Sequence, residues 1–151
     1  MREFWRSFRE TCAITHDDYD VVSFGDGAEM ADNLAELVVS GPKRATAGLL
    51  RYFTEGGEAM PRVGEHVVLI DGKGTPRCVW QTTDVVVKPL NQVDEKFAWD
   101  EGEGDRTLAS WLAGHRRYFA MEAERDKFDF SDDIATVCER FRVVWPPEIT
   151  D

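Results

Sequence analysis

An amphipathic helix pattern from Ala28 to Val39 stops at Gly41-Pro42 and gives way to a strand pattern from Ala45 to Phe53. Met30, Ala31, Leu34, Leu37 and Val38 fall on one helical face, and glycine followed by proline is a helix-stop signal. A helix that feeds directly into a strand commits the chain to a mixed α and β fold. The junction reads Gly41-Pro42-Lys43-Arg44-Ala45-Thr46. It places an amine and a hydroxyl three positions apart where the backbone changes period, so both can reach one cleft. They read either as a nucleophile and its activator, or as a cation and a hydroxyl that grip a polar ligand.

The other elements follow from periodicity and punctuation. Residues 1–12 read as an amphipathic helix carrying Phe4, Trp5 and Phe8, and 16–26 as a connecting loop around a short Val21–Phe24 segment. Gly56-Gly57 and Pro61 mark a turn, Val67–Ile70 a short buried strand, and Asp71-Gly72-Lys73-Gly74 a hairpin. Arg77–Lys88 alternates as a long strand. The stretch Trp99–Asp105 reads as an acidic loop broken by glycines, Thr107 to about Glu124 as the longest helix, and Thr136–Trp145 as a closing strand ended by Pro146-Pro147. Short strands with helices inserted between them predict an α+β fold, a small, partly closed β-barrel flanked by helices. Residues 1–21 form an N-terminal helix and loop extension, and 22–151 the domain proper.

At 151 residues the chain is most simply one domain with a real core. No apolar run approaches the ~20 residues needed to cross a bilayer, so no membrane association is expected. Cys12, Cys78 and Cys138 are odd in number and far apart, which indicates neither a disulfide framework nor a zinc cage and fits a reducing cytoplasm. The net charge of −11 argues against broad binding to a nucleic-acid backbone but leaves room for a nucleotide or a few RNA bases in a locally basic pocket. The burial of Trp5, Trp80, Trp111 and Trp145 is open at this level, and with it a homodimer patch.

Each candidate group has a plain structural reading beside a chemical one. Lys43 is a cation for a phosphate or carbonyl, a base if burial depresses its pKa, or a solvated lysine that favours the preceding helix dipole. Thr46 is a nucleophile if it meets a base, or a threonine suited to a strand. Glu101 is a general acid or base, an orienter of the lysine, or a solvent-facing acid. Asp105 precedes the long helix and reads as a cap, as does Thr107. Arg140 and Arg142 share a parity with Cys138 on the last strand, opposite Phe141, Val143 and Trp145, so they line either solvent or a polar cleft. His115 reads as a core histidine on an apolar helix face. No Walker loop and no dinucleotide fingerprint is present.

The helix ending in Leu37-Val38-Val39-Ser40-Gly41-Pro42-Lys43-Arg44-Ala45-Thr46 resembles the G-x-K-x-x-T signature of the ASCH domain family, which is related to PUA domains. Val63-Gly64-Glu65-His66-Val67, Phe97–Asp105 with the helix after it, and Ser23-Phe24-Gly25-Asp26 extend the likeness over roughly residues 22 to 145. The longer bacterial branch of the family is similar in these features. The resemblance implies a role directed at RNA or nucleosides. Some members remove the acetyl group from N4-acetylcytidine with a lysine and threonine of the motif and a glutamate from the later loop. Lys43 and Thr46 match the first two, and the spacing from Ala98 matches Glu101 to the third, with Glu103 as the substitute if the register slips.

The resemblance therefore implies a small amidohydrolase in which Lys43, its pKa lowered by the pocket, takes the proton of Thr46 and Thr46 attacks an acyl carbonyl. Phe24, Arg44, Trp99, Asp105, Arg140 and Arg142 are the expected substrate-binding residues, the partner being a modified nucleoside, a nucleotide or single-stranded RNA. No metal and no cofactor is expected for this chemistry. A noncatalytic RNA- or nucleotide-binding module is the second reading, and a metal-dependent RNA nuclease using Asp26, Glu101 and Asp105 the third.

Overall fold

The long strand expected over Arg77–Lys88 is the spine of the sheet. In the computed structural model, which describes residues 1–151, it runs from Pro76 to Pro89 and is called β4 below because three strands precede it. The first three are β1 (Asp20–Val22), β2 (Ala45–Leu49) and β3 (His66–Ile70), and β5 (Ala135–Trp145) closes the set. They form one curled, half-barrel sheet in the order β1-β3-β4-β5-β2. The β1–β3 pair is parallel and every other pair antiparallel. Five helices flank the sheet: α1 (Arg2–Cys12), α2 (Ala28–Ser40), α3 (Leu50–Thr54), α4 (Glu95–Glu101) and α5 (Leu108–Asp126).

Alternation along the strands divides the core. Val67, Leu69, Cys78, Trp80, Phe141 and Val143 cluster with Ala35 and Val38 of α2. Val68 and Val79, of the opposite parity, pack against Trp5 and Phe8 of α1. Both aromatic side chains are almost wholly buried there, a contribution of roughly 1.5–3 kcal/mol each. The extension at the N-terminus is thus docked onto the sheet. A third cluster joins Ala45, Leu49 and Cys138 to Phe97 and Ala98 of α4 and to Trp111 and Phe119 of α5.

Two local expectations are corrected. The strand predicted over Ala45–Phe53 ends at Leu49, because Leu49 pairs with Thr136 at the start of β5 and the sheet offers no partner beyond. The chain turns instead into α3, closed by an Arg51–Glu55 ion pair at 2.7 Å. The acidic loop expected over Trp99–Asp105 starts inside a helix. Asp94 accepts a hydrogen bond from the Phe97 N–H at 2.9 Å and so caps α4, Lys96 and Asp100 pair one turn apart at 2.7 Å, and Gly102 ends the helix at φ 70°. Trp5, Trp80 and Trp111 are buried inside the chain. All three cysteines are free, and no helix is long and apolar enough to cross a membrane.

Candidate active site

Gly102 joins the two parts of the site. Its backbone passes so close to the Pro42–Lys43 peptide that a Cβ there would lie 2.5 Å from the Pro42 carbonyl carbon. Only glycine combines that approach with a positive φ. The Arg44 N–H donates to the Asp100 carbonyl at 2.7 Å and completes the seam between the motif and the end of α4. Arg44 itself is a strut: its guanidinium holds both carboxylate oxygens of Asp151, at 2.8 and 2.9 Å, and the carbonyls of Val38 and Lys43.

This seam drives Lys43 inward. The residue is 1 % exposed, and its Nζ donates to the Ala45 carbonyl at 2.9 Å, to Glu101 Oε2, and to Glu103 Oε2 at 2.9 Å. The two acids expected as alternatives act together. The expectation of a depressed lysine pKa is overturned. Burial pushes it down, but the charges of Glu101 and Glu103 and their hydrogen bonds outweigh burial and hold the ammonium above its ordinary value. Glu101 is the group poised near neutrality. Burial pushes its carboxyl up to about 7, with Lys43 opposing and Glu103 reinforcing the shift. Burial also acts to raise Glu103, but Lys43 and the bond with Glu101 carry it below the usual value, so Glu101 is the carboxyl of the two that accepts a proton more readily.

His115 completes the inner wall. Its Nδ1 lies 2.9 Å from the Trp111 carbonyl, and burial lowers its pKa. A neutral ring that donates Nδ1–H to this carbonyl turns the lone pair of Nε2 toward Glu101 Oε1, 3.6 Å away and without another partner. The histidine reads in sequence as a core residue, and its place on an apolar face beside Trp111 gave no sign of this second contact.

These groups open on a cavity of about 850 Å³. Lys43, Thr46, Glu101, Glu103, His115 and Phe24 all line it. The Phe24 ring lies 5.2 Å from Lys43 Nζ and stacks on Trp80. Thr46 sits on the cavity face of β2, directly opposite Glu139 of β5.

The remaining expected binding residues lie elsewhere. Arg140 and Arg142 share the face of β5 that carries Cys138, while the cavity face carries Val137 and Glu139. Arg140 is held by Asp100 at 3.0 Å and Asp84 at 3.4 Å, and Arg142 by the Gln81 side chain at 2.7 Å. The one-residue alternation of the strand sends both guanidinium groups away from the cleft. Trp99 is exposed with the Arg106 guanidinium stacked on it at 3.6 Å, also outside the cavity. Asp105 accepts from the Thr107 N–H and hydroxyl at 2.9 and 2.7 Å, and of the two cap candidates it is Thr107 that caps α5, accepting from the Ser110 N–H at 3.2 Å. Asp26 borders the cavity, but it does not join Glu101 and Asp105 in a group able to hold one ion.

The curled sheet with its flanking helices is an α+β fold of the PUA-like class. The chain belongs to the ASCH domain family, a PUA-like RNA-binding family, whose model matches residues 20–145. It is similar to the ASCH domain from Lactobacillus crispatus JV V101, at 32 % identity and TM-score 0.87 over 96 % of this chain and 94 % of that one. It is also similar to a structurally characterised protein from Enterococcus faecalis V583, at 35 % identity and TM-score 0.86 over 95 % of this chain and 86 % of that one. No curated protein matches it.

Proposed function

We propose that the cavity hydrolyses an acyl amide on a modified nucleoside such as N4-acetylcytidine. The observation that carries this reading is the buried Lys43, hydrogen-bonded to Glu101 and Glu103 at the wall of a cavity also lined by Thr46, whose hydroxyl has no hydrogen bond within the chain. All three ammonium N–H donors are engaged, so Lys43 has none left with which to grip a ligand. That weighs against a simple binding cation and in favour of a group that handles protons.

The chemistry starts with a proton shift inside the pair. Lys43 passes a proton to the Glu101 carboxylate, giving a neutral amine and a neutral acid, the form favoured when a ligand excludes water. The amine takes the Thr46 proton as Thr46 Oγ attacks the acyl carbon. The C–N bond then breaks, and Glu101 returns its proton to the leaving nitrogen. Glu101, again a carboxylate, takes a proton from the water that attacks the threonyl ester. Lys43 returns its proton to Thr46 Oγ as the ester bond breaks and the carboxylic acid leaves. The proton on Glu101 then passes back to Lys43 to restore the ion pair. Glu103 keeps a negative charge beside Lys43 throughout.

Chromatography after mixing the protein with N4-acetylcytidine, with and without a chelator, tests this reading. Cytidine release that is insensitive to chelator and absent in Lys43→Ala supports it; release that needs a metal ion contradicts it.

A further inference from the structure

On the cavity face of β5 the apolar alternation is broken once. Val137, Phe141 and Val143 share a parity, and Glu139 is the charged residue among them. The residue is 8 % exposed, and the charged groups that bear on it are Glu65 and Asp20, both acids. A buried carboxyl without a cation is costly to keep, so its place at the edge of the cleft calls for a reason.

Its hydrogen bonds are asymmetric. The Trp80 indole N–H and the Thr82 hydroxyl both donate to Oε2, at 3.3 and 2.7 Å. Oε1 has no partner within the chain, and Glu139 lines the cavity. With Oε2 committed as an acceptor twice over, a proton on this carboxyl sits on Oε1. Burial first, and then Glu65 and Asp20, push its pKa up to about 7 against the pull of the Thr82 bond.

Glu139 is also the direct cross-strand neighbour of Thr46. Side chains so paired stand about 4.5–5.5 Å apart at Cβ. Whatever Oε1 holds therefore lies next to the group that attacks the acyl carbon. The cavity walls supply nine aspartate and glutamate side chains against Lys43, Arg51 and Arg125. Such walls disfavour a phosphate, while Phe24, backed by the buried Trp80, offers apolar surface to an uncharged ring.

We propose that Glu139 is the specificity-determining residue of the cavity: its Oε1 donates a hydrogen bond to an acceptor nitrogen on the edge of an uncharged nitrogen heterocycle, the ring that carries the acyl amide. This rests on the hydrolase reading for its choice of ligand but concerns recognition, not turnover. Glu139 faces Asp20 from β1, Glu65 from the approach to β3, Trp80 and Thr82 from β4 and Thr46 from β2, and none of these is a cation.

Titration calorimetry separates binding from turnover. The protein carrying Thr46→Val is titrated with N4-acetylcytidine, alone and combined with Glu139→Ala or Glu139→Gln, and thermal melting confirms that each variant is folded. Loss of the donor in Glu139→Ala is expected to weaken binding about 10-fold or more. Glu139→Gln keeps a carbonyl for Trp80 and Thr82 and presents an N–H to the ligand, so its affinity is expected to stay within about 3-fold of the parent. Parent affinity should fall between about pH 6 and about pH 8.5 as Oε1 loses its proton, and Glu139→Gln should not follow. The 5′-monophosphate of the same nucleoside should bind more weakly than the nucleoside.

Unchanged affinity in Glu139→Ala, or a Gln variant as weak as the Ala variant, overturns the assignment. So does a parent that does not bind, or a monophosphate that binds more tightly. Binding without hydrolysis by the wild-type protein overturns the hydrolase reading alone and leaves Glu139 to be decided by the same titrations.

Discussion

Lys43 and Glu101 stand 58 positions apart in the chain, yet they share a buried hydrogen bond at the wall of the cavity. Each is 1 % exposed, so neither charge is solvated by bulk water. Removing one partner of such a pair strands the other and typically costs about 3–5 kcal/mol. Lys43→Ala is therefore expected to lose both activity and several kcal/mol of stability in urea denaturation. Lys43→Arg retains a cation for Glu101 and Glu103 but cannot become neutral, so it is expected to keep more stability than Lys43→Ala and still lack hydrolysis. Full hydrolysis by Lys43→Arg would contradict the assigned proton transfer.

The pH dependence of hydrolysis follows from Glu101. Its carboxyl must be ionised to receive the lysine proton, and its pKa lies at about 7. Below that value kcat/KM is expected to fall about tenfold per pH unit, and above it to level off. A rate that is flat across neutral pH would remove Glu101 from this role.

Glu139 leaves a separate mark on stability. Its pKa is raised to about 7 from an ordinary value of 4.5, so between these values the folded chain holds a proton that the unfolded chain has released. Its stabilising effect is complete below the unfolded value and is lost as pH rises to the folded one. The difference is on the order of 3 kcal/mol. Glu139→Gln, which has no such titration, is expected to match the wild type at acid pH and to exceed it by up to about 3 kcal/mol above pH 8. Urea denaturation at both ends of the range measures this, and parallel curves at both would show that the carboxyl titrates normally.

Much of this architecture was legible in sequence, because helix period, stop signal and strand alternation meet at Gly41-Pro42. Helix α4 was hidden by composition. Its acids and glycines suggested a loop, while its real markers were the Asp94 cap and the single turn of Phe97, Ala98 and Glu101 that it buries. Parity on β5 correctly separated Arg140 and Arg142 from the apolar side, but it took the contacts of the folded sheet to show which side held the cavity. The signal for Glu139 was present as one acid within an apolar parity. Nothing local could reveal that the lysine pKa would rise, since that depends on two carboxylates 58 and 60 positions further along the chain.

The seam between motif and α4 has a sharp test. Gly102→Ala places a methyl group against the Pro42 carbonyl and strains a residue at φ 70°. It is expected to cost about 1–3 kcal/mol and to displace Lys43, lowering melting temperature and hydrolysis together. Gly104 has a similar φ of 59° but open space around its Cβ position, so Gly104→Ala should show only the backbone cost, about 1–2 kcal/mol, and retain activity. Equal activity losses in the two variants would argue against the seam.

The most direct measurement is intact-protein and peptide mass spectrometry after brief mixing with N4-acetylcytidine and acid quenching. An added acetyl group is expected on the peptide that contains Thr46, formed in the wild type and absent in Thr46→Val, which should also release no cytidine. Cytidine release at the wild-type rate by Thr46→Val would contradict the account, because Thr46 could then not be the nucleophile.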